Sequence, residues 1–109
     1  MVVSGDVVVC DFPGVQGVKR RPAIVVSTGI YHAHGADVIL GEITTQLGKA
    51  VSPTDHALRD WRLAGLHQPS AFRSFLVTLV RTDALQIGRL SDRDWQEVQS
   101  RLRLALAVT

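Results

Sequence analysis

Lys19-Arg20-Arg21-Pro22-Ala23-Ile24-Val25-Val26-Ser27 sets three consecutive cations against a proline and an apolar, β-branched run. Proline fixes its own φ and pushes the residue before it out of the helical region, so Arg21 is expected to be extended where a strand begins. A guanidinium held on a strand can grip a phosphate through two parallel hydrogen bonds, losing less freedom than a mobile surface arginine would. This stretch reads as an anion site. A solvated basic loop ahead of a strand is the alternative, and the local residues alone leave both open.

The whole sequence constrains what such a site can belong to. Its 109 residues suffice for one core, so a single domain spanning 1–109 is expected. Hydrophobic residues make up 46% and charged residues 20%, the composition of a globular chain and not of a disordered one. The one cysteine, Cys10, rules out an internal disulfide framework and a multi-cysteine zinc site, and a reducing, cytoplasmic setting is expected. No stretch approaches the roughly 18 apolar residues of a membrane span. A net charge of +2 is modest, so a nucleic-acid partner would have to be met by clustered cations.

Before the basic stretch, Gly5-Asp6 and Asp11-Phe12-Pro13-Gly14 bound Val7 to Cys10, predicting a strand over about 6–12. The glycine-flanked segment Gly14-Val15-Gln16-Gly17-Val18 would turn it into a second strand, Arg21 to Ser27. After it, Gly29 to Ala36 is polar and turn-like, and Asp37 to Thr45 predicts a third strand in which Gly41 marks a bulge or a close approach. Gln46 to Pro53 reads as loop, Asp55 to Arg59 as a short strand, and Asp60 to Leu66 as a helical turn or two capped by Asp60. Ser74 to Val80 and Ala84 to Leu90 predict two more strands, the second weakened by Gly88. Ser91 caps a final helix with acidic residues in its first turn, a variant of the capping box. Trp95, Val98, Leu102 and Ala105 form its apolar face.

Several of these strands are apolar on both sides, so both faces of the sheet need cover. One helix of about four turns cannot provide it, which predicts a strongly curved barrel and burial of the remaining apolar surface against a second copy.

Gly5-Asp6 opening the first strand, Arg21-Pro22-Ala23 opening the second, Ile43-Thr44 closing the third and Arg81-Thr82 after a later strand together resemble the PemK/MazF family of toxin endoribonucleases. The resemblance covers nearly the whole chain. It implies an α+β fold built on an SH3-like β-barrel with a C-terminal helix, active as a homodimer. It also implies a toxin that cuts single-stranded RNA without a metal or other cofactor and is silenced by a cognate antitoxin. By the same resemblance the catalytic residues fall on Arg21 and Thr44. A fixed arginine can stabilise the charge that gathers on phosphate oxygens when a ribose 2′-hydroxyl attacks, leaving a 2′,3′-cyclic phosphate and a 5′-hydroxyl. A β-branched hydroxyl on a strand can hold that phosphate in line.

Lys19, Arg20, Lys49, Arg73 and Arg81 are candidates for contacting flanking phosphates, as cations do in single-strand binders. No carboxylate precedes Arg81-Thr82 in Leu76 to Val80, which leaves the general base unassigned. His32, His34, His56 and Asp11 are candidates by type, each also readable as an ordinary loop or surface residue. His32 and His34 without a third ligand do not make a metal site. Phe12 and Tyr31 could stack on bases or simply pack, while Trp61, Trp95 and Cys10 read as structural. A CcdB-like toxin that inhibits DNA gyrase by binding is the alternative, though that family's tail ends in tryptophan, glycine and isoleucine and this chain ends Leu104 to Thr109. A plain SH3-like binding module is the third reading.

Overall fold

The computed structural model describes residues 1–14 and 17–108. The strands are β1 Asp6–Gly14, β2 Gly17–Val25, β3 Asp37–Thr44, β4 His56–Ala57, β5 Ala71–Val80 and β6 Leu85–Arg89. They make one antiparallel sheet in the order β4-β5-β3-β2-β1-β6. Two helices accompany it, α1 Gly29–Ala33 and α2 Asp92–Ala105.

The sheet is curled. Phe12 on β1 and Phe75 on β5 meet edge to face with ring centroids 5.7 Å apart, although β2 and β3 lie between their strands. Three strand spacings would hold them about 14 Å apart in a flat sheet. Curling creates a concave face that buries Val8, Cys10, Phe12, Ala23, Val25, Val38 and Leu40. The opposite face buries Val7, Ile24, Ile43 and Phe72 under Trp95, Val98 and Leu102 of α2, with Leu58, Trp61, Ala64 and Leu66 from the segment before β5. The two-sided apolar strands are thus explained by a half-barrel covered outside by a helix and a packed turn. Ala105, expected on the buried side of α2, is exposed in the last position of the helix.

Other boundaries moved for identifiable reasons. The second strand starts at Gly17, four residues before the expected start, so Arg21 lies within β2 opposite Cys10 and not at its entrance. Pro22 is tolerated there because β2 pairs with β3 only from Ala23 onward, leaving one side of the strand unpaired at the residue that lacks an N–H. The turn expected between the first two strands falls partly on residues 15 and 16, outside the described residues. The polar stretch after β2 contains α1, whose start is capped by Thr28 accepting from the Tyr31 N–H.

Residues 60–66 form hydrogen-bonded turns and no helix. Asp60 does not cap them, because its carboxylate receives Ser91 Oγ and both arms of the Arg93 guanidinium. Gly41 sits at a register shift between β3 and β5, where a Cβ would come 2.5 Å from the Phe72 ring. Gly88 meets a harder constraint, since a Cβ there would lie 2.1 Å from the Ala64 carbonyl oxygen.

Candidate active site

Strand periodicity decides what shares a face with Arg21. Cys10 and Arg21 are directly opposed, as are Val8 and Ala23, so Arg21 points to the concave side, beyond the buried Ala23 of β2 and beside the buried Cys10 of β1. On β3, Leu40, Glu42 and Thr44 alternate onto the same side. Ala23 pairs with Glu42 as the last β2–β3 pair, and Arg21 and Thr44 each lie two residues beyond it on the same face. Glu42 in turn pairs with Arg73 on β5. The open mouth of the half-barrel therefore gathers Arg21, Thr44, Glu42 and Arg73 from three neighbouring strands, with Lys19 further out on the Arg21 face.

Arg21 is half-buried, and among the described residues its guanidinium forms no ion pair. Thr44 is buried, and its Oγ1 accepts from the Gln46 N–H at 3.0 Å. Accepting fixes the side chain while leaving its own O–H to donate. An arginine fork and a hydroxyl donor on adjacent strands suit the non-bridging oxygens of one phosphodiester.

The remaining cations divide. Lys19 is exposed on β2, and Lys49 is exposed in the 3-10 turn Leu47–Lys49 that follows Thr44, within the loop expected there. Arg20 points to the opposite face from Arg21 and sits 3.6 Å from Asp11, both well exposed. Arg73 is tied to Glu42, Nη1 to Oε1 at 3.2 Å. Arg81 is elsewhere: it donates to the carbonyls of His32 and Gly35 at 2.8 and 3.1 Å, beyond the Asp37–Val80 pair. Seven residues of β3 separate that end from Thr44, about 23 Å. Its Nη1 anchors the connection from α1 to β3, which corrects its place among the phosphate contacts.

None of the four candidate bases is at the mouth. His32 is buried and bonded through Nε2 to Ser27 Oγ at 2.6 Å, and His34 follows it at the Arg81 end. His56 lies on the convex side, bonded to Asp94 at 2.9 Å, and Asp11 faces away with Arg20. Glu42 is the carboxylate at the site, and the sequence carried a signal for it: it stands two residues before Thr44 on one strand, hence on the same face.

The aromatic candidates also separate. Phe12 is fully buried, whereas its partner Phe75 is 40% exposed at the concave mouth, and Tyr31 sits on α1 at the far end. Cys10 is buried, and burial, reinforced by Asp11 and opposed by Arg20, pushes its thiol up, so it is no nucleophile.

A pocket of about 350 Å³ adjoins the site on the other face, lined by Val9, Pro22, Thr45, Ile87 and residues of the segment 65–70. Neither Arg21 nor Thr44 lines it, but the next residue along each strand does. Among the described residues, no three His, Cys, Asp or Glu side chains are grouped to hold a metal ion, and no helix is long and apolar enough to cross a membrane.

Sequence comparison with curated proteins finds no match. Solved structures do match in fold. An endoribonuclease in complex with its cognate antitoxin from a mycobacterial species superposes with a TM-score of 0.79 at 21% identity, covering 100% of this chain and 98% of that one. MazF from Deinococcus radiodurans gives 0.76 at 20% identity over 98% and 97%. The Mycobacterium tuberculosis toxin MazF-mt6 gives 0.75 at 20% identity over 95% and 98%. The family model of the PemK-like, MazF-like toxins of type II toxin-antitoxin systems matches residues 4–106. With the match running through every strand and both helices, this chain belongs to the PemK-like, MazF-like toxin family.

Proposed function

We propose that this toxin is a metal-independent endoribonuclease that cuts single-stranded RNA at the concave mouth, with Arg21 and Thr44 as its catalytic residues. The observation that carries the reading is an Arg21 guanidinium without an ion pair on the face that Thr44 shares, each residue two beyond the Ala23–Glu42 pair. Both are donors without a proton acceptor between them, which suits stabilising charge on phosphate oxygens as the 2′-hydroxyl attacks. The structures named as endoribonucleases share this fold. Lys19 and Lys49 flank the mouth and would steer the adjoining phosphates, with Arg20 beside them on the outer face.

The reading extends to a homodimer in the cytoplasm, neutralised by a cognate antitoxin. Leu85 and Ile87 on the edge strand β6 are apolar and exposed, surface that a second copy would cover. An acidic, partly disordered antitoxin segment lying across Arg20 and Arg21 would block the mouth by charge and by volume. The gyrase-binding alternative is less well supported, since the family matched is that of PemK and MazF.

The test is to incubate the purified protein with long single-stranded RNA in excess chelator and map the fragment ends. Defined cuts with 2′,3′-cyclic phosphate and 5′-hydroxyl ends are expected, and a substrate carrying a 2′-deoxy sugar at the cut should resist. Cleavage that requires a metal, or that proceeds on the 2′-deoxy substrate, contradicts the mechanism.

A further inference from the structure

We propose that Glu42 is the base that takes the proton from the attacking 2′-hydroxyl, and that Arg73 holds it aimed; this rests on the nuclease reading above. Glu42 is 6% exposed, flanked by Ala23 on β2 and Arg73 on β5, and faces the same side as Thr44. A buried carboxylate needs compensation, and here that is a single hydrogen bond, from Arg73 Nη1 to Oε1. Among the described residues Oε2 receives none. Arg73 is itself under-used, for its Nε is buried without a partner. The pair is thus joined at one point where two parallel bonds are available to an arginine and a carboxylate. An oxygen left open beside the proposed phosphate site is what a proton acceptor requires.

The charged groups around Glu42 are few. From β5 it meets Arg73; from β2 Arg21 shares its face one pair further along. Ahead of β4, Asp55 lies beyond Arg73 and accepts the Ser74 N–H, while His56 is on the convex side with Asp94. The charged group bonded to Glu42 is Arg73.

The step balances without another cofactor. The 2′-hydroxyl proton passes to Oε2 of Glu42, the freed oxygen bonds to phosphorus, and the bond from phosphorus to the 5′-oxygen breaks. The leaving oxygen takes a proton from solvent water, and the hydroxide produced takes back the proton from Glu42. Arg21 and Thr44 stabilise charge throughout and need not accept a proton.

The experiment measures rate against pH for the full-length wild type, Glu42→Gln and Arg73→Gln on a short RNA containing one cut site. Glu42→Gln keeps the shape and the oxygen that Arg73 grips but cannot take a proton. It should lower kcat by about 100-fold or more, leave KM within about twofold, and abolish the fall in rate on the acid side. Arg73→Gln removes the Nη1 contact that aims the carboxylate, so kcat should fall by about tenfold or more while KM stays within about twofold. A Glu42→Gln protein that cuts within about threefold of wild type, with the acid-side fall intact, overturns the assignment. So does a folded Arg73→Gln protein that keeps the wild-type kcat, which decides the matter even where Glu42→Gln fails to fold. Wild type that cuts no RNA overturns the nuclease reading itself, a result distinct from either variant's.

Discussion

Two buried carboxylates, Glu42 and Asp94, stand on opposite faces of the same sheet and are treated in opposite ways. Asp94, fully buried on α2, receives His56 Nε2 and the Arg59 N–H at 2.9 Å and the Asp60 N–H at 2.8 Å. Glu42 receives one contact, from a half-exposed arginine. A satisfied buried acid ties three segments together: β4, the turns at 60–66 and the start of α2. An under-satisfied one at the open mouth keeps a lone pair for chemistry. The same residue class therefore serves structure on the convex side and reactivity on the concave side; Asp6, buried beside Arg89, also keeps an oxygen without a hydrogen bond, so it is the place beside Thr44 together with the open oxygen that marks Glu42.

The contrast predicts its own failures. Asp94→Ala should have the largest effect on stability, about 3–5 kcal/mol in urea unfolding, because it strands His56 and two backbone N–H groups in the interior. A loss below about 1 kcal/mol would remove the structural half of the comparison. Gly88→Ala should cost about 1–3 kcal/mol, since the clash with the Ala64 carbonyl is backbone against backbone and no side chain can swing away. A neutral result would mean that the convex side is loosely packed. Glu42→Gln, which retains the Arg73 contact, should unfold within about 1 kcal/mol of wild type.

The smallest effect concerns acid. Burial raises the Asp94 carboxyl, but the hydrogen bonds from Arg59, His56 and Asp60 outweigh it and hold it below the usual carboxylate range. A folded value below the unfolded one stabilises the protein above the unfolded value, about pH 3.9, and that contribution is lost as pH falls through the folded value. Unfolding followed between pH 5 and 2 should show wild type losing stability in which Asp94→Asn has no share. Parallel curves for the two proteins would deny Asp94 that role.

Much of this was legible in the sequence. Turn residues at 5–6 and 13–14 and apolar runs at 7–10, 23–26, 38–40 and 76–80 located four strands, and Ser91 with Trp95, Val98 and Leu102 located the long helix and its buried side. The strands lacking alternation implied two covered faces, which the half-barrel supplies. What could not be read was long-range. Asp94 looked like a capping-box residue because its partners, 34 to 38 positions away, are not visible in a local pattern. Asp60 likewise looked like a cap until Arg93 claimed it. Arg81 looked like a site cation because local sequence gives no position along the sheet. Glu42 was within reach, since alternation from Thr44 already set it on the same face, but its burial and its single partner depend on β5.

The most direct test of the concave mouth as the cutting site compares two arginines at opposite ends of the sheet. Single-turnover RNA cleavage by Arg21→Ala and Arg81→Ala would be measured beside wild type, with the folded fraction of each fixed by circular dichroism. Arg21→Ala should lose about 100-fold or more in rate while remaining folded, and Arg81→Ala should cut at the wild-type rate per folded molecule. Cleavage that survives in Arg21→Ala, or that is lost in a folded Arg81→Ala, would place the chemistry at the other end of the sheet and contradict the account.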